Sequence, residues 1–274
     1  MAMKYRLRVA AFDTPHMVKF VAAMRTIQGF NDNRSYHKIA GFHGAPDRYC
    51  WHHQFSRNSS LTARLFLPWH RAYLYHLEQN LQDVDADVAL PWWDWTIAGG
   101  IPNAYAADQV NGQPNPLFSS TINLAPPLVE TPIQRSTWRN PRPTLPVFNA
   151  PWADANSNGE ATLAELVDAI LENVRDLETF NDLMESIHDQ IHGWIGGDMG
   201  DPTTAAFDPI FFAHHCMIDR IWYLWQIRNG WDRFPTALLD EPLIPFGKTV
   251  RQVLNVQELG YEYAADAVTI PLGG

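Results

Sequence analysis

Apolar residues recur at helical spacing in several separated segments. Residues 15–28 (PHMVKFVAAMRTIQ) follow Thr14, a residue suited to N-capping, and predict a first helix. Residues 69–83 (WHRAYLYHLEQNLQD) predict a second. Thr162-Leu-Ala-Glu165 has the form of a capping box opening a helix. A longer pattern runs over 176–194 and stops at Gly196-Gly197. Asp208-Pro209 supplies a cap and a proline at the first helical position, and opens a helix that runs to about 229 and ends at Gly230. Between these, residues 101–151 hold ten of the twenty prolines and cannot be much helix. Strand signals are few. The expected class is mainly α, with long proline-rich loops and little β.

Composition narrows the setting. The chain has 274 residues, of which 46% are hydrophobic, enough for an ample core. Its net charge of −10 comes without a basic run, so no nucleic-acid partner is expected. No apolar run approaches the ~20 residues of a membrane span. Two cysteines, Cys50 and Cys216, make no disulfide framework. The start, MAMKYRLRVAAF, shows neither an apolar leader core nor twin arginines. The expectation is a cytoplasmic protein, or one exported with a helper. No internal repeat is present, and the proline-rich stretch is not read as a domain boundary, because candidate metal ligands lie on both sides of it. One domain over 1–274 is expected.

Those ligands are histidines, of which the chain has eleven. In HDQIHGWIGG, His188 and His192 lie four apart on a predicted helix, so they share a face and can grip one ion. His214-His215 falls in DPIFFAHHCMIDR, among Phe and Trp, where a polar imidazole needs a partner. Before the proline-rich stretch, His43 sits in AGFHGAP, His70 in LFLPWHRAYL, and His52-His53 in YCWHH. Two sets of three imidazoles suit copper, zinc, iron or nickel, and three ligands per ion leave positions open for chemistry. Glu185-Ser-Ile-His188 is a single Glu-x-x-His, whereas di-iron bundles use two. HDQIH also mimics the zinc-protease H-E-x-x-H, with Asp189 where the glutamate base would stand. That reading leaves four histidines unemployed.

The motifs FHG, LFLPWHRAYL, LPWWDWT, HDQIHGWIGG and DPIFFAHHCMIDRIWYLWQ, with YRLRV near the start and LGYEY near the end, resemble the type-3 copper proteins: tyrosinases, catechol oxidases and haemocyanins. The resemblance spans almost the whole chain. It implies a four-helix-bundle core holding two copper ions. His43, His52 and His70 would hold the first; His188, His192 and His215 would hold the second. His214 would stand behind the ligands, Phe211 would stack near a copper-bound ring, and Asp94 and Asp219 would orient imidazoles through their distal N–H. Cys50, two residues before His52, matches the cysteine that forms a thioether to the middle ligand in fungal tyrosinases. Here 18 positions separate His52 from His70, more than the family pattern, with HQFSRNSSL as an inserted polar loop.

The resemblance also implies that O2 bound between the coppers oxidises o-diphenols to o-quinones and, in tyrosinases, hydroxylates phenols. The partners are then small phenols and O2, with a copper-delivery helper protein. The phenol proton needs an acceptor. Where many tyrosinases have Asn after the first ligand of the second copper, this chain has Asp189; Glu185, or failing it Glu178, is the candidate glutamate. Tyrosinase activity is the expectation, ahead of catechol or o-aminophenol oxidase activity without hydroxylation. An O2 carrier is the reading from another class, and haemocyanins usually shield their centre with an extra domain that this sequence does not show. Separately, residues 154–165 fit an EF-hand calcium loop, but Pro151 and the capping box at Thr162 argue against it.

Overall fold

The computed structural model describes residues 3–50, 59–97, 99–150, 152 and 159–265. Its helices are α1 (Pro15–Gln28), α2 (Tyr36–Ala40), α3 (Ser59–Gln82), α4 (Asn103–Ala106), α5 (Leu163–Asn173), α6 (Leu177–Ile195) and α7 (Ile210–Asn229). α3 is the central one, packed against α1, α6 and α7. These four make the expected helical core. Among the described residues no helix is long and apolar enough to cross a membrane.

Several boundaries match the sequence reading. α1 covers the expected span, and Asp176 accepts from Thr179 N–H at the start of α6. The capping box of α5 is formed, with Glu165 accepting from Thr162 N–H and the Thr162 hydroxyl accepting from Glu165 N–H. The calcium pattern lies partly outside the described residues, and its last carboxylate is engaged in this cap.

The second helix differs from its expected start. It begins ten residues earlier, at Ser59, and carries Pro68 in its interior. A proline there costs about 3 kcal/mol. Leu65, Phe66, Leu67 and Trp69 flank it, all buried, and burying such side chains is worth about 1.5–3 kcal/mol each. Packing therefore carries the helix through the proline.

The proline-rich middle forms two-stranded ribbons, as its low helix content requires. They are β2 (Gln109–Val110) with β3 (Gln113–Pro114), β4 (Thr121–Leu124) with β5 (Ile133–Ser136), and β6 (Phe148–Asn149) with β7 (Glu160–Ala161). β8 (Pro242–Leu243) and β9 (Lys248–Thr249) form another. Arg139, just past β5, ties this layer to the start of α7 through two bonds to the Asp208 carboxylate, 2.5 and 2.7 Å long.

β1 (Lys4–Arg6) pairs in parallel with β10 (Tyr261–Tyr263), so the two ends of the described chain meet. Arg6 thereby enters the core. Its guanidinium donates to both oxygens of Glu78 on α3, at 3.0 and 2.9 Å, and to Asp219 on α7 at 3.2 Å. Arg71 on α3 donates to the other Asp219 oxygen at 2.6 Å. The hydroxyls of Tyr261 and Tyr263 also donate to Asp219. Burial alone would raise the Asp219 pKa, but Arg71, Arg6 and the Tyr263 hydroxyl outweigh it and hold it below the usual value.

Asp219→Asn should therefore be severe. It leaves Arg71 without its carboxylate partner among the described residues and Arg6 with Glu78 alone, and breaking a buried pair costs about 3–5 kcal/mol. A denaturant midpoint unchanged from wild type would show that the network contributes no net stability.

Candidate metal centre

α6 and α7 build the first half of the centre. His188 and His192, one turn apart on α6, turn their Nε2 atoms towards His215 on α7. The His188 Nε2–His215 Nε2 and His192 Nε2–His215 Nε2 distances are both 3.3 Å. The other ring nitrogens decide what these atoms are. His188 Nδ1 lies 2.9 Å from Asp189 Oδ1, and His192 Nδ1 lies 2.6 Å from the Met199 carbonyl. A carbonyl or carboxylate oxygen accepts, so each Nδ1 carries the proton and each Nε2 is a bare lone pair. Both lone pairs face His215 Nε2, which can donate at most one proton. A cation among the three resolves this conflict.

The second half is built on α3 and the loop after α2. His70 Nδ1 donates to the Phe66 carbonyl at 2.8 Å, one turn back on α3, which again bares Nε2. Cys50 Sγ lies 3.7 Å from that Nε2. His43, Cys50 and His70 bring their ligand atoms within 4.8 Å of one another, as do His188, His192, His214 and His215. The two sets adjoin: the His70 and His215 rings stack with centroids 4.4 Å apart. His52 and His53 lie outside the described residues, so the third ligand of this half and the Cys50–His52 thioether stay expectations.

Burial favours neutral imidazoles. It lowers the His192 pKa to about 4, against the opposing pull of the Met199 carbonyl. His214 and His215 are held well below the usual value, again chiefly by burial. Neutral imidazole is the metal-binding form. Imidazole-only ligation on one side, and imidazole beside a thiol on the other, fits two copper ions.

Other expected residues fall as follows. Phe211 stacks on His215 at 4.0 Å and meets His43 edge-on at 4.7 Å. His214 stacks on His188 at 5.3 Å and is fully buried. The Nε2 atoms of His188 and His192 approach that of His215, while His214 offers a ligand atom to the same group of four. Asp219 and Asp94 do not stand behind imidazoles, contrary to expectation. Asp219 serves the arginines, because Arg6 and Arg71 need its charge in the core, and Asp94 accepts from the Thr96 hydroxyl at 2.5 Å. The carboxylate that orients an imidazole is Asp189. Glu178 pairs with Arg64 at 3.6 Å on the surface.

Two features were not foreseen. Phe66 sits between His70 and His188, with centroids 4.8 and 4.9 Å away. The one-turn spacing of Phe66 and His70 was the available signal. The Met199 carbonyl left none, since a main-chain acceptor has no residue type.

Glycines allow close backbone approaches near the centre. A Cβ on Gly44, beside His43, would lie 2.3 Å from the Thr203 carbonyl oxygen. Gly197 has φ +57° and admits the Trp138 carbonyl at 2.2 Å from where a Cβ would be. A cleft of about 400 Å³ opens over the α6 side of the centre, lined by His43, Glu185, His188, Asp189, His192 and Gly193 among others. Burial, with Asp189 and Asp182 nearby, raises Glu185 from 4.5 to about 7.

That shift has a measurable sign. The folded protein holds the Glu185 proton more tightly than the unfolded chain, so this stabilising contribution is complete below about pH 4.5 and is lost as pH rises through about 7. In metal-free protein, Glu185→Gln should raise the melting temperature above pH 7 and leave it unchanged near pH 4. An equal gain at both pH values would show that charge is not the cause.

The chain matches the model of the common central domain of tyrosinase over residues 33–228. It is 29% identical over 265 residues to haemocyanin beta-C chain unit G of Helix pomatia, covering 88% of this chain and 61% of that protein, less than two thirds of its length. It is 27% identical to a tyrosinase of Streptomyces lincolnensis, covering 68% of this chain and 71% of the other. The solved tyrosinase of Burkholderia thailandensis shares the fold, with a TM-score of 0.71 at 24% identity over 97% of this chain and 74% of that one. A domain match over most of the chain, together with two adjoining histidine clusters suited to metal, places the protein in the tyrosinase-domain family of type-3 copper proteins.

Proposed function

We propose that this chain oxidises phenols and o-diphenols to o-quinones with O2, hydroxylating monophenols as tyrosinases do. The observation that carries the reading is the cleft over His188 and His192. Its volume of about 400 Å³ lies within the ~300–1,000 Å³ typical of small-molecule sites. An O2 carrier needs no room for an organic ring. Overall, two o-diphenols and one O2 give two o-quinones and two waters.

In this reading His188, His192 and His215 hold one copper; His43, His70 and the expected His52 hold the other. Bound copper would supply O2 binding and the electron transfer. The chain supplies the rest. The Phe66 and Met199 carbonyls and the Asp189 carboxylate hold imidazole protons on Nδ1, which keeps Nε2 free for metal. Phe211 and Phe66 pack the rings in place. Glu185, with its pKa near 7, is partly ionised at neutral pH and takes the proton of the arriving phenol, whose own pKa is about 10. Asp189 is occupied with His188, so Glu185 is the better acceptor.

Copper-loaded protein should convert catechol to quinone, with about two coppers per chain. Reversible O2 binding without quinone would sink the reading and favour a carrier.

Glu185→Gln should lower monophenol hydroxylation relative to catechol oxidation by ~10²-fold, the loss expected for a general base. Equal losses with both substrates would remove Glu185 as the acceptor. Asp189→Ala should weaken copper retention by about 10–100-fold, as measured against a chelator. Asp189→Asn, whose amide oxygen still accepts from His188 Nδ1, should restore most of it.

A further inference from the structure

The cleft over the imidazoles does not end at the copper centre. A second hollow of about 460 Å³ shares Asp189 and Gly193 with it, and is walled by Leu145, Pro146 and Val147. A third, of about 380 Å³, shares Val147 and Gln190 with the second, and is walled by Trp152, Leu183 and Ile187 among others. Leu183, Ile187, Gln190 and Gly193 form one stripe along α6. Ten residues of helix separate its ends, a length of about 15 Å.

Three further observations bear on what the stripe holds. Gly193 is the low point of the wall between the first and second hollows, since a Cβ there would meet nothing within 4 Å. Beyond Asp189 the only charged residue lining the second and third hollows, among the described residues, is Arg142. Val147 and Trp152 are 55% and 48% exposed, large apolar side chains left facing solvent beside the path. A surface of this kind binds apolar material.

We propose that this groove is a specificity subsite for phenols carrying an extended apolar chain para to the hydroxyl. The ring would occupy the cleft over His188 and His192. The chain would pass over Gly193 and lie between α6 and the 145–148 segment, reaching Trp152. The inference rests on the phenol-oxidising reading for the ring and on the continuity of the three hollows for the chain.

The test is a series of 4-alkylcatechols, from catechol to 4-hexylcatechol, with copper-loaded protein. Full burial of a methylene is worth about fourfold in affinity; a groove open on one side should give about half that free energy, or about twofold per methylene in kcat/KM, carried by KM. Gly193→Leu should fill the low point and cut the ratio of 4-hexylcatechol to catechol kcat/KM about tenfold. Because Gly193 adjoins His192, Val147→Asp is the independent variant; it lies on the surface away from the ligands and should cut the same ratio. An enzyme that turns over catechol but shows no dependence on chain length overturns the proposal. If the protein oxidises no catechol, the functional reading fails and binding decides this one. Calorimetry on metal-free protein should then show 4-hexylphenol binding at least tenfold tighter than phenol, with the difference lost in Val147→Asp. Equal binding of the two phenols overturns the subsite.

Discussion

The pairing of Arg71 with Asp219 sets the geometry on which the centre depends. Arg71 follows His70 on α3, and Asp219 stands one helical turn after His215 on α7. The 2.6 Å bond between them fixes how far one helix slides along the other. One turn away, that register brings the His70 and His215 rings face to face. Arg6 extends the lock to both ends of the described chain, because β1 and β10 converge on the same carboxylate. Burying so many charges is costly unless each is paired. The pairing in turn makes the helix register specific, since apolar packing alone tolerates sliding.

Imidazole orientation is the next layer. Three candidate ligands are held by their Nδ1 protons, through a carbonyl one turn back on the same helix, a carbonyl in the turn after α6, and the carboxylate of the next residue. These anchors come from different elements and act alike. Each fixes a tautomer and leaves Nε2 aimed inward. Desolvation then keeps the rings neutral. A buried cluster of lone pairs is unfavourable by itself, so the stability of the fold and affinity for metal are coupled.

The centre is asymmetric towards solvent. Phe66, Trp69 and Phe211 pack against the α3 and α7 imidazoles, while the α6 side faces the cleft. Glycine controls that open side. Gly44 and Gly197 let neighbouring backbone close in near the centre, and Gly193, which lines the cleft, leaves open space where a Cβ would stand. Glu185 stands on the same wall, its proton affinity raised by the partial burial that the cleft imposes.

The sequence by itself determined the elements and the ligand chemistry. Helical spacing, the Thr162 box and the Gly196-Gly197 stop set α1, α5 and α6, because those signals are local. Four-residue spacing put His188 and His192 on one face, and their doublet partner was readable from its aromatic setting. Only the tertiary structure decided which carboxylate serves which group. The resemblance put Asp219 and Asp94 behind imidazoles, but a sequence does not say whether a guanidinium, a hydroxyl or an imidazole lies opposite. The second helix was expected only from Trp69, because a proline's cost is local, whereas the packing that carries the helix through Pro68 comes from distant helices. The Met199 carbonyl and the gap at Gly193 carried no signal at all. Main-chain acceptors and empty space exist only once separate parts of the chain have been brought together.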